Sequence, residues 1–162
     1  MAEDKQLLLE DVRIIFRNFE GRETQFNREG DRNFCVVLPP HLVPMLVADG
    51  WNVKYLQGRE EGDEPTPILK ASVKYKYRPP QIFMISSRNK TPMDESNINV
   101  LDWVAIKSVD MILTPYTYSV RGETGISAYV KKMFVTIEED ELDLKYADLE
   151  MLPASGGRTV DA

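Results

Sequence analysis

One cysteine, Cys35, and one histidine, His41, are all that 162 residues offer of the side chains most used for cross-links, metals and proton transfer. A lone cysteine excludes an internal disulfide and a Cys-rich zinc site. A lone histidine leaves no partner for the His-based triads and His clusters that carry nucleophilic and metal chemistry. Because His41 follows Pro39 and Pro40, at an expected helix start, it reads as a surface or capping residue. Also missing are a GxxxxGK[ST] phosphate loop, a GxGxxG turn, an HExxH pair and a CxxC pair, the short patterns with a defined catalytic or cofactor role. The expectation is a non-enzyme with no cofactor and no metal. No apolar run approaches the roughly 20 residues that cross a bilayer. The first residues, Met1-Ala2-Glu3-Asp4-Lys5, are acidic and unlike a secretory leader, so the expected location is the cytoplasm, with no membrane partner.

Net positive charge is missing too. The formal charge is −6, which would usually speak against a polyanionic partner. Its distribution matters more than its sign. Eight acids and two bases lie between Glu138 and Ala162, so residues 1–137 carry acids and bases in equal number. A neutral body with an acidic end is compatible with a local basic groove, because phosphates respond to the local field. The chain therefore divides into a body, residues 1–137, and an acidic segment, 138–162. The run Glu138-Glu139-Asp140-Glu141 is read as a solvated run rather than a cation site.

The hydrophobic pattern is mainly of period two. Leu7 to Phe19 reads as a long strand with Val12, Ile14 and Phe16 facing the core, and Arg13, Ile15, Arg17 and Phe19 facing outward. Arg32 to Leu38 is a second strand. Pro40 to Ala48 is a short helix closed by Gly50. Trp51 to Leu56 is a further strand, and Gln57 to Pro67, with no apolar residue, a surface loop. Ile68 to Tyr77 and Gln81 to Ser87 look like a strand pair interrupted by Pro79-Pro80. Thr91-Pro92-Met93-Asp94 has the form of a capped helix start, leading to a turn or two that end near Trp103. Ala105 to Val120 and Ile126 to Ile137 form the clearest hairpin, joined by a turn over Gly122–Gly125. A helix over Leu142–Met151 and a disordered end from Pro153 complete the reading. Strands at this spacing with one or two short helices predict a mostly β chain, a sandwich or a small barrel.

Binding a strand without reading its sequence requires cations for phosphates and flat rings for bases. Alternate residues of a strand share a face, so the useful signal is basic and aromatic residues recurring at spacing two. Arg13, Arg17 and Phe19 meet that test on the first strand, followed by Arg22, Phe26, Arg28 and Arg32. Lys70, Lys74, Lys76 and Arg78 share a face further on, with Tyr75 and Tyr77 opposite. Arg88 and Lys90 lie in a loop, Tyr116 and Tyr118 share a face before the hairpin turn, and Tyr129, Lys131 and Lys132 come after it. Any one of these is ordinary on a half-exposed sheet; the interleaving is what suggests a polynucleotide. Phe16, Phe34, Phe83, Trp103 and Phe134 are assigned to the core.

Five blocks carry a resemblance: FRNFEGRETQFNREGDRNFCVVL from Phe16, ADGWNVKYL from Ala48, EEGDEPTPILKASVKY from Glu60, LDWVAIKSVDMILTPY from Leu101 and GISAYVKKMFVTIEEDELDLKYAD from Gly125. In this order, over roughly Leu8 to Asp148, the chain resembles a family of phage and prophage single-stranded DNA-binding proteins. The resemblance implies an OB-like antiparallel β-barrel that coats single strands during phage replication or recombination. It further implies single-stranded DNA as the partner and the acidic tail as a contact for replication or recombination proteins; a homodimer is compatible with it. The terminal Thr159-Val160-Asp161-Ala162 departs from the acids-then-aromatic ending common among such tails. The competing readings are a protein-interaction module working through an edge strand or the tail, and a carboxylate-based nuclease.

Overall fold

The computed structural model describes residues 6–139 except Tyr77 and Arg88, together with Leu142, Lys145, Tyr146 and Leu149. Among the described residues eight strands form: β1 (Leu7–Asn18), β2 (Arg32–Val37), β3 (Val53–Leu56), β4 (Thr66–Val73), β5 (Gln81–Ser86), β6 (Asn89–Met93), β7 (Ile106–Val120) and β8 (Glu123–Ile137). The short helix α1 (Val43–Asp49) follows a 3-10 turn at Pro40–Leu42, and another 3-10 turn spans Ile98–Asp102.

The sheet runs β3-β4-β2-β1-β7-β8-β5-β6, and a further β4–β8 contact closes its middle into a barrel of β1, β2, β4, β8 and β7. The expected OB-like barrel is therefore what the chain forms. Most neighbours are antiparallel; the closing β4–β8 contact is parallel, as is β5–β8. Closure removes the exposed edges that an open sheet would present. The edges that remain are the short strands β3 and β6; Lys54 on one and Lys90 and Pro92 on the other are residues that discourage edge-to-edge pairing.

Inside the barrel, alternate residues of each strand meet. Leu9, Ile14, Phe34, Val36, Leu69, Ala71, Leu113, Met133 and Val135 belong to one buried cluster, and Phe19 stacks on Phe34 with ring centroids 5.2 Å apart. α1 inserts Leu46 into that cluster and stops at Gly50, whose φ of 95° closes the helix as anticipated.

The first strand departs from simple alternation. Asp11 and Phe16 both have φ near +53°, and the registers of β1 against β7 and β2 shift at the same two places. Each is a bulge, and each bulge exchanges the faces of the residues beyond it. Phe16, assigned to the core, is 60% exposed, whereas Phe19, assigned outward, is fully buried.

Trp103 is also corrected: it lies 70% exposed just after the 3-10 turn, while Ile98 and Leu101 of that turn fill the core. Phe83 and Phe134 are half-buried and stack on each other on the outer side of β5–β8, 5.3 Å apart. The helix start expected at Thr91–Asp94 is instead the end of β6. β4 and β5 do not pair with each other, since each lies alongside β8. The hairpin turn is tighter than expected, only Arg121-Gly122, both with positive φ. That is the two-residue primed turn whose twist matches the strands it joins.

Among the described residues no helix is long and apolar enough to cross a membrane. The expected helix at Leu142–Met151 and the expected disordered end lie largely or wholly outside the described residues.

Candidate nucleic-acid interface

The outer wall of the barrel is set by the strand pairing. On β2 and β4 the inward residues are Phe34, Val36, Leu69, Ala71 and Val73, leaving Asn33, Cys35, Lys70 and Ser72 outside. Ser72 is the partner of Asn33 on one side and of Tyr129 on the other. Cys35 is likewise flanked by Ile15 and Lys70. One continuous outer surface thus runs from β1 across β2 and β4 to β8, and on to Tyr116 of β7.

Past the end of β4, Lys74, Lys76 and Arg78 come over this surface beside the hairpin. With Tyr116, Tyr129 and Val130 they line a cleft of about 500 Å³. The two tyrosine rings are stacked, with centroids 5.4 Å apart and planes within 6°. A second recess continues from Arg78 past Pro79, Tyr129 and Val130 to Lys131 and Lys132. The register slips between Ile112 and Leu113, so β8 has one residue more than β7 here; this bulge leaves Lys131 exposed beside a half-buried Lys132. Lys74 also forms an ion pair with Asp31 at 3.5 Å. Tyr118, opposite Gly125, lies where a Cβ at that glycine would come within 2.6 Å of its hydroxyl. A side chain there would push the ring off the hairpin.

The loop between β1 and β2 borders this surface at Lys70 and, through Asp31, at Lys74. It is held by the side chain of Asn18, whose Oδ1 accepts from the N–H groups of Gly21 (3.1 Å) and Arg22 (2.9 Å) and whose Nδ2 donates to the Arg22 main-chain carbonyl (3.0 Å). Asn27 ties the far side by donating to the carbonyls of Arg22, Arg28 and Asp31. Asp102 accepts from the Phe19 and Glu20 N–H groups at 2.7 and 3.0 Å. A loop so tied is preorganised. It presents Phe26, 87% exposed, and a shallow recess joins Phe26 and Arg28 to Lys70.

The predicted residues therefore fall into groups. Lys70, Lys74, Lys76, Arg78, Tyr116, Lys131 and Lys132 gather on the β4–β8–β7 wall, with Tyr118 further along the hairpin and Phe26 and Arg28 on the loop. Arg13 is exposed at the margin, opposite Val37. Arg22 lies over the Trp103 ring, 5.7 Å from its centroid.

Three residues are used differently. Phe19 is in the core. Arg17 donates from Nη1 to the carbonyls of Leu101 and Val104 at 2.9 and 2.7 Å, binding β1 to the 3-10 turn. Arg32 packs over Tyr75, 5.6 Å from the ring centroid, and reaches Glu95 at 3.9 Å. Arg88 is outside the described residues. Tyr129, named with Lys131 and Lys132 on the return strand of the hairpin, proves central to the cleft, because the parallel β4–β8 contact that centres it is not a local pattern.

Two titrations bear on this wall. Burial pushes the Cys35 thiol up, partly offset by Lys70 and Lys54 nearby, so the thiolate is scarce at neutral pH. Burial also pushes the Tyr75 hydroxyl up to about 12; Arg32 opposes that shift, and Asp94 and Glu95 add to it.

The family described as "Putative phage ssDNA-binding domain" matches residues 2–156. The chain belongs to that family. The single-stranded DNA-binding protein of bacteriophage Enc34 has the same fold at 9% identity. Its C-terminally truncated form superposes with a TM-score of 0.54, covering 83% of this chain and 87% of that one. Its complex with single-stranded DNA gives 0.54, with coverage of 83% and 88%. No curated protein matches the sequence.

Proposed function

We propose that this protein binds single-stranded DNA without regard to sequence, coating and protecting strands during phage replication and recombination in the host cytoplasm. The observation that carries the reading is the cleft where Lys74, Lys76 and Arg78 border the stacked Tyr116–Tyr129 pair. Cations follow the phosphates and rings take the bases, a combination tolerant of sequence because every base has a π-face. An unpaired strand presents bases to such a wall; a duplex hides them. Support comes also from family membership and from the Enc34 protein, whose structure with single-stranded DNA has this fold. The role is stoichiometric binding without catalysis. The body, residues 1–137, is the binding unit, the acidic segment, 138–162, is a contact for replication or recombination proteins, and any homodimer forms away from the guarded edges β3 and β6.

The test is a salt-titrated comparison of single-stranded and duplex oligonucleotides of equal length, read by fluorescence anisotropy. Single strands bind more tightly at every salt concentration, and labelled strands stay intact in magnesium. Tyr116→Ala weakens binding by roughly 5- to 150-fold, the range that about 1–3 kcal/mol per stacked base implies, while Tyr116→Phe keeps the ring and most of the affinity. Equal affinity for duplex and single strand, or degradation of the strand, would overturn the reading.

A further inference from the structure

Trp103 is the largest side chain that the fold leaves in water, and nothing in the barrel requires it there. It follows the 3-10 turn Ile98–Asp102, whose Ile98 and Leu101 supply the apolar anchors, so its own ring is free of packing duties and remains 70% exposed. The ring is nevertheless held. Asp102 and Arg17 fasten this turn to β1 and to the β1–β2 loop from both sides, and the Arg22 guanidinium lies 5.7 Å from the indole centroid. A cation over one face of an exposed indole leaves the other face open, with positive charge beside it. That is the pairing of ring and cation found in the cleft, repeated at a second place.

The two places are joined by the outer wall. Tyr129, Ser72, Asn33 and Asn18 are successive partners across β8, β4, β2 and β1. Three strand spacings separate the ends, about 14 Å in all. Asn18, where that row ends, holds the backbone of Arg22 by hydrogen bonds in both directions. Lys70 and the loop residues Phe26 and Arg28 flank the route.

We propose that Trp103, with Arg22, is a second base-stacking platform, so that a single strand leaving the tyrosine cleft crosses β4 and β2 and passes the loop to reach the indole. The path stays on one OB fold, whose sites take roughly 4–16 nucleotides. The inference rests on the proposed function and extends its site to the far side of the β1–β2 loop.

The full-length protein is titrated with oligo-dT of increasing length, following tryptophan emission and, independently, the anisotropy of a labelled strand. Trp51 is only 7% exposed, so quenching on binding reports Trp103. The wild type is quenched by long oligonucleotides and not by those that fill the tyrosine cleft alone. Trp103→Phe abolishes the quench and keeps affinity within about 2-fold, because a ring remains. Trp103→Ala weakens long oligonucleotides by roughly 5- to 150-fold, the factor corresponding to about 1–3 kcal/mol for one stacked base, and leaves short ones unchanged. Binding of long strands by anisotropy with no change in emission overturns the platform while leaving the proposed function standing. So does equal weakening of short and long strands by Trp103→Ala, or a change in sedimentation with none in DNA affinity. Absence of any single-strand binding by the wild type overturns the proposed function, and the platform with it.

Discussion

Arg17 and Tyr75 show how a side chain's chemistry is set by its surroundings rather than by its type. Arg17 has the charge and the strand position of a phosphate ligand, yet its guanidinium is spent on two main-chain carbonyls. A hydrogen bond from a charged donor contributes roughly 1.5–3 kcal/mol. Arg17→Met is therefore expected to lower stability by about that much in urea unfolding and to leave the salt dependence of DNA binding unchanged. A flattened salt slope with unchanged stability would return Arg17 to the interface. Tyr75 has a hydroxyl with no hydrogen-bond partner among the described residues and a pKa pushed up to about 12 by burial. A folded-state value above the unfolded one near 10 means that the unfolded chain loses its proton first. The stability linked to Tyr75 is complete below about pH 10 and is lost as pH rises through the folded value of about 12. Tyr75→Phe should remove that alkaline loss relative to the wild type. At neutral pH it should cost little, because it deletes an unsatisfied polar atom. Urea midpoints of both proteins at about pH 8 and about pH 11, either side of the unfolded value, check the sign.

At the scale of elements, the hairpin β7–β8 is the part that local chemistry specifies best, and it brings Tyr116, Tyr118 and Tyr129 to one face. Its turn places Arg121 at φ 52°, a conformation that costs an ordinary L-residue roughly 1–2 kcal/mol. Arg121→Asn supplies a residue suited to the first position of a primed turn and is expected to raise the calorimetric midpoint by about 2–4 °C, equivalent to roughly 1 kcal/mol in a chain of this size. A lower midpoint would mean that Arg121 has a partner worth more than the backbone strain. Alternation made most strands legible in the sequence, as did the Gly50 helix stop. What it could not reveal was any break in its own period: the bulge at Phe16 moved Phe16 out and Phe19 in. Trp103 misled for a related reason, since the apolar anchors of a 3-10 turn were already filled by its neighbours. The basic and aromatic residues were visible, but the parallel β4–β8 closure that gathers them joins strands more than 50 residues apart and leaves no local trace.

For the whole molecule, the relevant quantity is where charge lies. The first two residues of the acidic segment still touch the body: Glu139 accepts hydrogen bonds from the N–H and hydroxyl of Ser87, and the Glu138 N–H donates to the Ala105 carbonyl at 2.8 Å. Residues 140–162 contain six acids and two bases, a net of four negative charges, tethered to a body whose outer wall carries the cations. A tethered polyanion acts at high effective concentration and is screened by salt. Shortening the chain after Glu139 should therefore raise affinity for oligo-dT several-fold at low salt, with the gain shrinking as salt approaches about 1 M, where the Debye length falls to roughly 3 Å. Each phosphate neutralised contributes about −0.7 to the slope of log K against log salt on single strands. Engagement of about five cations from the set Lys70, Lys74, Lys76, Arg78, Lys131 and Arg28 thus predicts a slope of roughly −3.5 for the shortened chain. The intact chain must show a shallower slope, because salt also releases its own competitor. Parallel slopes for the two chains would mean that the acidic segment never meets the cleft, and would leave it to other proteins.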